Sequence, residues 1–461
     1  MSKTLFLPST PLDLQAMRAP RYTSYPTALQ FCEEVGPTDA IEALRASNDD
    51  LVPAPLSLYL HVPFCRSNCF YCGCTRTVTR NQTIMSTYAA RLCDELVQRA
   101  ENLDRDRRTV QVHFGGGTPN HLPDADLERI VGTIRQHYRV VSAVDASLEV
   151  DPRLVQANQP AFWRRLGFNR ISIGVQDVDP RVQRLINRIQ PSEMVAATVD
   201  ACRDAGFASI NFDLVYGLPG QTLDSINATM DFVEQQRPDR VAAFGYAHLP
   251  ERLPAQRAIN RAWLPDPQAR FRMRNYIESR LIAAGYVAIG LDHFALPTDT
   301  LAQAFAEGTL HRNFQGYTTH AGCDIIGFGV SSISRVGRVF AQNTKALDDY
   351  ASALERHEWP IERGYRQSDE DRLRERVIMG LMCHRPVDLV NLSRHYQLDA
   401  EELFADALDN LHAIAPRTRP LTSCHDGVLE VTEAGRPYLR LIAAQFDAYL
   451  NTTPSKSSLA V

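Results

Sequence analysis

The chain has 461 residues, 44% of them hydrophobic, enough to bury a full core and to form more than one domain. Its formal net charge of −5, from 49 basic and 54 acidic residues, lacks the basic signature of a nucleic-acid binder. No apolar run reaches bilayer-spanning length, and Met1-Ser-Lys-Thr-Leu-Phe-Leu-Pro8 is too short and too weakly apolar for a secretion signal, so the ten cysteines are expected in a reducing cytoplasm without membrane or nucleic-acid partners.

Residues 1–37 read as an N-terminal arm around Pro20-Arg-Tyr-Thr-Ser-Tyr-Pro-Thr27. From Leu56 onward, strand-like runs alternate with helical ones. The predicted strands are Leu56–Val62, Thr109–Phe114, Ser147–Val150, Arg170–Val175, Ser209–Val215 and Arg240–Tyr246. Between the second and third, Leu127, Ile130, Val131 and Ile134 repeat at helical spacing, with Asp124 and Asp126 at the positive end of that helix. Such alternation implies parallel strands joined by right-handed crossovers. Six units predict an α/β fold, a partial, open (β/α)6-type barrel over residues 38–365, with its site at the strand C-terminal ends.

Directly after the first strand, Cys65, Cys69 and Cys72 fall in Cys-x-x-x-Cys-x-x-Cys spacing. Three thiolates on one loop suit a four-iron cluster and leave one iron without a protein ligand. Cys74 follows too closely on Cys72 to reach the opposite corner without strain. The open iron is then available to chelate a small molecule through an amino and a carboxylate group. Zinc sites usually add a second knuckle or histidines across a longer loop. Cys383-His384 and Cys424-His425 are isolated and far away. A disulfide framework does not suit a long chain without an export signal.

Polar or glycine-rich segments recur at the strand ends: Gly115-Gly-Gly-Thr-Pro119, Glu149 with Asp151-Pro152, Gln176-Asp177, Asp213 with Tyr216-Gly-Leu-Pro219, and Tyr246-Ala-His-Leu-Pro250. Glycine and proline also simply end strands. Acids and amides at so many ends of one barrel mouth point instead to a site, because buried carboxylates need partners. Glycines let backbone groups approach a ligand closely.

Residues 366–461 read as a mostly helical module. Helices are predicted over Leu373–Met382, Pro386–Tyr396 and Ala400–Leu411, a short strand over Gly427–Val431 after an Asp426-Gly427 turn, an amphipathic helix over Arg436–Leu450, and a polar tail over 451–458. Helices followed by a small β element resemble a winged-helix arrangement. From Ser368 to the end, however, ten basic residues face 14 acidic ones, a net charge of −4 and the wrong sign for a duplex binder.

The three-cysteine loop followed by the triple glycine resembles the radical S-adenosylmethionine superfamily. There, one electron from the cluster cleaves the bound sulfonium to give a 5′-deoxyadenosyl radical. The chain is similar, over nearly its whole length, to the oxygen-independent coproporphyrinogen III oxidase family. The residues that carry this are Pro20–Thr27, His61-Val-Pro-Phe-Cys65, Cys69-Phe-Tyr-Cys-Gly-Cys74, Gly115–Pro119, Gly174-Val-Gln-Asp177, Tyr216–Pro219, Tyr246–Pro250, Asp292-His-Phe-Ala295 and His311-Arg-Asn-Phe-Gln-Gly-Tyr-Thr-Thr319. The resemblance assigns Cys65, Cys69 and Cys72 to a 4Fe-4S cluster. It assigns Tyr59, Gly116, Glu149 and Ile333 to one S-adenosylmethionine, and Tyr71, Gly117, Thr118, Gln176, Arg188, Asp213 and Ala247 to a second.

The reaction implied is oxidative decarboxylation of two propionates of coproporphyrinogen III to vinyl groups, giving protoporphyrinogen IX. An electron donor and an acceptor are needed, and the sequence identifies neither. Haem-chaperone paralogues share the barrel and the three cysteines, but typically lack the Arg21–Pro26 motif and the cysteine at position 74. The substrate carries four carboxylates, so Arg21 and Arg312 are candidate contacts, beside ordinary ion pairing as the alternative role. Tyr22 and Tyr25 are read as flanking the tetrapyrrole, plugging the mouth, or packing an arm laid on the barrel. His248, His293 and His311 are candidates for substrate binding or proton relay. The C-terminal module is expected to act as a lid, because a radical intermediate needs shielding from water and oxygen. Nothing demands a dimer, and a monomer is expected.

Overall fold

In the computed structural model, residue 14, residues 17–414 and residues 420–450 are described. The polar tail predicted at 451–458 lies outside them. All six predicted strands are present: β1 (Leu56–Val62), β2 (Arg108–Gly116), β3 (Arg139–Val150), β4 (Arg170–Gln176), β5 (Ser209–Tyr216) and β6 (Arg240–Gly245). They lie side by side in chain order, each parallel to the next.

Each crossover carries a helix: Gln82–Ala100, Asp124–His137, Gln159–Arg165, Ser192–Asp204 and Leu223–Gln236. The helix predicted from Leu127, Ile130, Val131 and Ile134 buries those four residues, with Asp124 and Asp126 in its first turn. Strand β3 starts eight residues earlier than predicted. Its first half, Arg139-Val-Val-Ser-Ala-Val144, holds no buried residue, and its pairing with β2 shifts register there, so the sequence offers no clean alternation.

The sheet extends on both sides. Beyond β6 come β7 (His293–Ala295) and the two-residue strand Val287–Ala288, both antiparallel. On the other side of β1 lies a seventh parallel strand, β8 (Asp324–Phe328), followed by antiparallel β9 (Ile333–Val336), β10 (Val339–Asn343) and β11 (Ile361–Arg366). The twelve strands form one open sheet whose outermost members do not pair with each other, a partial barrel.

Strand alternation sorts the side chains. In β1, Leu56, Leu58, Leu60 and Val62 join the core under the helices, while Ser57, Tyr59 and His61 take the opposite face. In β5, Ile210, Phe212 and Leu214 are core, and Ser209, Asn211 and Asp213 face the barrel cavity. A polar interior is thereby built from every second residue.

The C-terminal module opens with the helix Asp369–Met382, which carries a Ser368–Asp371 capping box. The predicted turn at Asp426-Gly427 is present, with both residues at positive φ, joining a hairpin of Thr422–His425 and Val428–Val431. The predicted helix over Arg436–Leu450 is shorter: a 3-10 turn at Arg436–Tyr438 and a helix at Leu439–Ala444. It is buried on all sides, not amphipathic, because it forms the centre of a second core.

That second core includes the arm. Leu14, Ala19, Tyr22 and Tyr25 pack among Leu373, Ile378, Phe404, Ile442 and Phe446. The Tyr22 hydroxyl donates to Asp447 (2.8 Å), and the Ala448 N–H donates to the Tyr25 hydroxyl (3.0 Å). The side chains of both tyrosines therefore pack into the C-terminal module.

Candidate active site

Pro63 ends β1, and the cysteine loop begins with a short parallel pairing of Phe64–Cys65 with Thr77–Val78. Arg76 fastens the loop: its guanidinium donates to the carbonyls of Cys72 and Cys74 (both 3.1 Å) and to the Asn68 side chain. Cys65, Cys69 and Cys72 line one wall of a cavity of about 450 Å³ inside the barrel mouth.

Each sulfur has a donor beside it. Thr118 Oγ1 donates to Cys65 (3.4 Å), the Cys74 N–H to Cys72 (3.5 Å), and Arg188 and Arg153 to Cys69 (3.6 and 3.8 Å). Donors of this kind stabilise thiolates, the form that ligates iron. The hydrogen bond from the Cys74 thiol pulls Cys72 down to about 6, whereas burial pushes Cys65 up to about 11. Among the described residues, no group of three His, Cys, Asp or Glu is gathered closely enough for a single metal ion. The fit of a cluster therefore rests on the shared wall and its sulfur-directed donors.

The triple glycine is forced by packing. A Cβ on Gly115 would fall 2.6 Å from Glu149 Oε1, one on Gly116 2.6 Å from the His61 ring, and one on Gly117 2.8 Å from the Pro63 backbone. Gly116 also has φ of +116°. The glycines thus bring the ends of β1, β2 and β3 together. The Gly116 N–H donates to Glu149 (3.1 Å) and the Gly117 N–H to the Val62 carbonyl (2.8 Å).

Glu149 and Asp213 face the interior from neighbouring positions two strands apart. Burial works to raise the Glu149 carboxyl, but hydrogen bonds from His113 and the Gly116 N–H, with the His113 charge, outweigh it and hold the group below the usual carboxylate range. Asp213 goes the other way. Burial and the Glu149 charge push it up to about 6, against hydrogen bonds from Ser172 (2.8 Å) and Asn211 (3.0 Å). The His61 ring carries its proton on Nε2, which donates to the Thr75 carbonyl (3.1 Å), so Nδ1 accepts from the Tyr59 hydroxyl (3.1 Å). The Tyr59 ring stacks on His113 at 5.7 Å, and Tyr59 and Ile333 line an adjoining pocket that shares His113 and Glu149 with the main cavity.

Arg188 is held at three nitrogens, by Gln190 (2.9 Å), the Gly174 carbonyl (2.9 Å) and Asp151 (3.2 Å). Gln176, beside it in the cavity, takes φ of +65° at the end of β4. Asp177, its neighbour in sequence, turns away, and its carboxylate accepts from Gln221 (2.6 Å).

The structure brings Cys65, Cys69, Cys72, Tyr71, Gly116, Gly117, Thr118, Glu149, Gln176, Arg188 and Asp213 to one cavity. Ala247 does not line it, but its carbonyl and that of Tyr71 accept from the same buried Gln256 Nε2 (2.9 and 3.0 Å). Of the predicted substrate contacts, none lines the cavity. Arg21 pairs with Asp292 and lies 5.1 Å over the ring of Phe244, a cavity residue. Arg312 is buried over the Tyr317 ring and donates to the carbonyls of Tyr22 (3.1 Å) and Arg21 (3.4 Å). Tyr22 is 1% exposed and faces Asp447. Among the candidate histidines, only His293 lines the cavity. Burial and the charges of Arg312, Arg21 and Arg240 hold it well below its usual value. The sequence reading missed Arg76, His113, Arg153, Ser172, Gln190, Asn211 and Gln256. The inward alternation of β2, β4 and β5 marks His113, Ser172 and Asn211; nothing local marks the others.

An open barrel of parallel strands with a polar interior and a three-cysteine loop at its mouth defines the radical S-adenosylmethionine class. Residues 59–233 match the family model described as Radical SAM superfamily, and residues 367–438 the one described as HemN C-terminal domain. Proteins named oxygen-independent coproporphyrinogen III oxidase are similar across the chain. That of Pseudomonas aeruginosa is 42% identical over 94% of both chains, and that of Escherichia coli K12 is 40% identical over 94% of this chain and 93% of its own. The solved Escherichia coli coproporphyrinogen III oxidase, described as a radical SAM enzyme, superposes with a TM-score of 0.88 at 40% identity, covering 93% of this chain and 98% of that one. The chain belongs to the oxygen-independent coproporphyrinogen III oxidase family.

Proposed function

We propose that the chain converts two propionates of coproporphyrinogen III to vinyl groups without oxygen, giving protoporphyrinogen IX. The observation that carries this is the gathering of three sulfurs, two interior carboxylates and Arg188 around one cavity, in a chain of this family. Cys65, Cys69 and Cys72 are the residues to hold the 4Fe-4S cluster. Bound there, the cluster and S-adenosylmethionine supply a radical able to take a hydrogen atom from a propionate β-carbon, which no side-chain base readily deprotonates.

The protein positions and shields. Glu149, held ionised, accepts from an ammonium group, and Tyr59 and Ile333 flank it in the adjoining pocket. A second S-adenosylmethionine fits Tyr71, Gly117, Thr118, Gln176, Arg188 and Asp213, with Ala247 fixed to Tyr71 through Gln256. The carboxylates of the substrate meet a basic margin: Arg21 beside Phe244, with Arg312 and Arg240 close to His293. Tyr22 serves this margin indirectly, by anchoring the arm. The C-terminal module closes the site through the arm it holds, and a single chain completes it. No helix among the described residues is long and apolar enough to cross a membrane.

The test is an anaerobic assay of reconstituted protein with coproporphyrinogen III, reductant and S-adenosylmethionine, read by mass spectrometry. Loss of two carboxyl groups from the porphyrinogen, with consumption of S-adenosylmethionine, is expected. Tight haem binding without any change in porphyrinogen mass would establish the chaperone function instead.

A further inference from the structure

The three sulfurs are not treated alike. Cys65 and Cys72 accept only from neutral donors, the Thr118 hydroxyl for Cys65 and the amide and thiol of Cys74 for Cys72. Cys69, 7% exposed, accepts from two guanidinium groups, those of Arg188 (3.6 Å) and Arg153 (3.8 Å). Both arginines converge on one carboxylate. Asp151 Oδ2 lies 2.6 Å from Arg153 Nη2 and 3.2 Å from Arg188 Nη1. Asp151 is itself fixed, since its backbone N–H and C=O exchange hydrogen bonds with the Asn120 side chain (2.9 and 3.1 Å).

Two positive charges therefore sit, immobilised, against one thiolate, Arg188 buried and Arg153 partly exposed, with the buried Asp151 carboxylate joining them. Charges next to a cluster and hydrogen bonds to its sulfurs set the reduction potential. A donor to a ligating sulfur draws electron density from it and favours the reduced cluster. A carboxylate beside it does the reverse.

We propose that the Asp151–Arg153 pair, acting on Cys69 from beside Arg188, sets how readily the cluster accepts its electron. Arg153 is a tuning residue that acts through Cys69, and Asp151 both aims it and moderates its charge. The proposal rests on the cluster reading and adds to it a graded electronic role for two residues outside the cysteine motif.

The test is the cluster midpoint potential, measured by paramagnetic-resonance titration of reconstituted protein without S-adenosylmethionine, in wild type, Arg153→Met, Arg153→Lys and Asp151→Asn. Arg153→Met removes a positive charge and shifts the potential to more negative values. Arg153→Lys keeps the charge and falls between Arg153→Met and wild type. Asp151→Asn leaves the guanidiniums unneutralised and shifts it the opposite way, to less negative values. Iron and sulfide content is compared in each variant; where Arg153→Met does not hold a cluster, Arg153→Lys and Asp151→Asn decide. Wild-type potentials in the variants that hold a cluster, or shifts of the same sign in Asp151→Asn and the Arg153 variants, overturn the proposal. Failure of the wild-type protein to form any cluster overturns the underlying cluster reading instead.

Discussion

Two interior carboxylates with opposite shifts give the site its pH dependence. Glu149 stays ionised at and below neutral pH, while Asp213 is protonated below about 6 and charged above it. If the charged form binds S-adenosylmethionine, affinity strengthens as pH rises through about 6, and Asp213→Asn flattens that rise; calorimetric titration across this range checks it. The sign for stability is opposite. An acid whose folded-state value is raised holds its proton longer in the native state, so the unliganded protein loses stability as pH rises from the ordinary carboxylate range through about 6. Thermal denaturation of wild type and Asp213→Asn across that interval measures the loss. At the sulfurs, Cys69→Ser is expected to abolish both the brown chromophore and turnover, while Cys74→Ser, which leaves the three ligands in place, retains iron.

At the scale of the element, the end of β2 is the most constrained stretch. Gly116→Ala combines a disfavoured backbone angle with a methyl group inside contact distance of His61. A loss of about 2 kcal/mol is expected in denaturant unfolding, with weaker S-adenosylmethionine binding because His61 also positions Tyr59. The six barrel strands were legible in the sequence because each is a short stretch of apolar residues, most alternating with polar ones, closed by a turn signal, and Glu149 and Asp213 were legible as acids inside such stretches. Strand β8 was not: it pairs with β1 after 261 intervening residues and without a preceding crossover helix of the regular kind. Arg153, Gln190 and Gln256 were equally hidden, since a buried hydrogen bond to a distant carbonyl or sulfur leaves no periodic trace. The last predicted helix was misjudged for a related reason. Its arginine suggests a solvated face, but Arg440 is buried and donates to the carbonyls of Ala19 and Pro20.

At the scale of the whole molecule, the arm is clamped from both sides. Arg440 of the C-terminal module holds the carbonyls of Ala19 and Pro20, and Arg312 of the catalytic unit holds those of Arg21 and Tyr22. Tyr22→Phe removes the hydroxyl from buried Asp447 and is expected to cost about 1–3 kcal/mol. Its signature is faster proteolysis near Arg21, with helical and strand content unchanged, and a raised Michaelis constant for the porphyrinogen as Arg21 loses its fixed seat beside Phe244. The sequence marked this arm as distinctive but not where it docks, because its hydrogen-bond partners lie from 271 to 425 residues away. A chain still on the ribosome therefore has no place to seat Tyr22 until Asp447 has emerged.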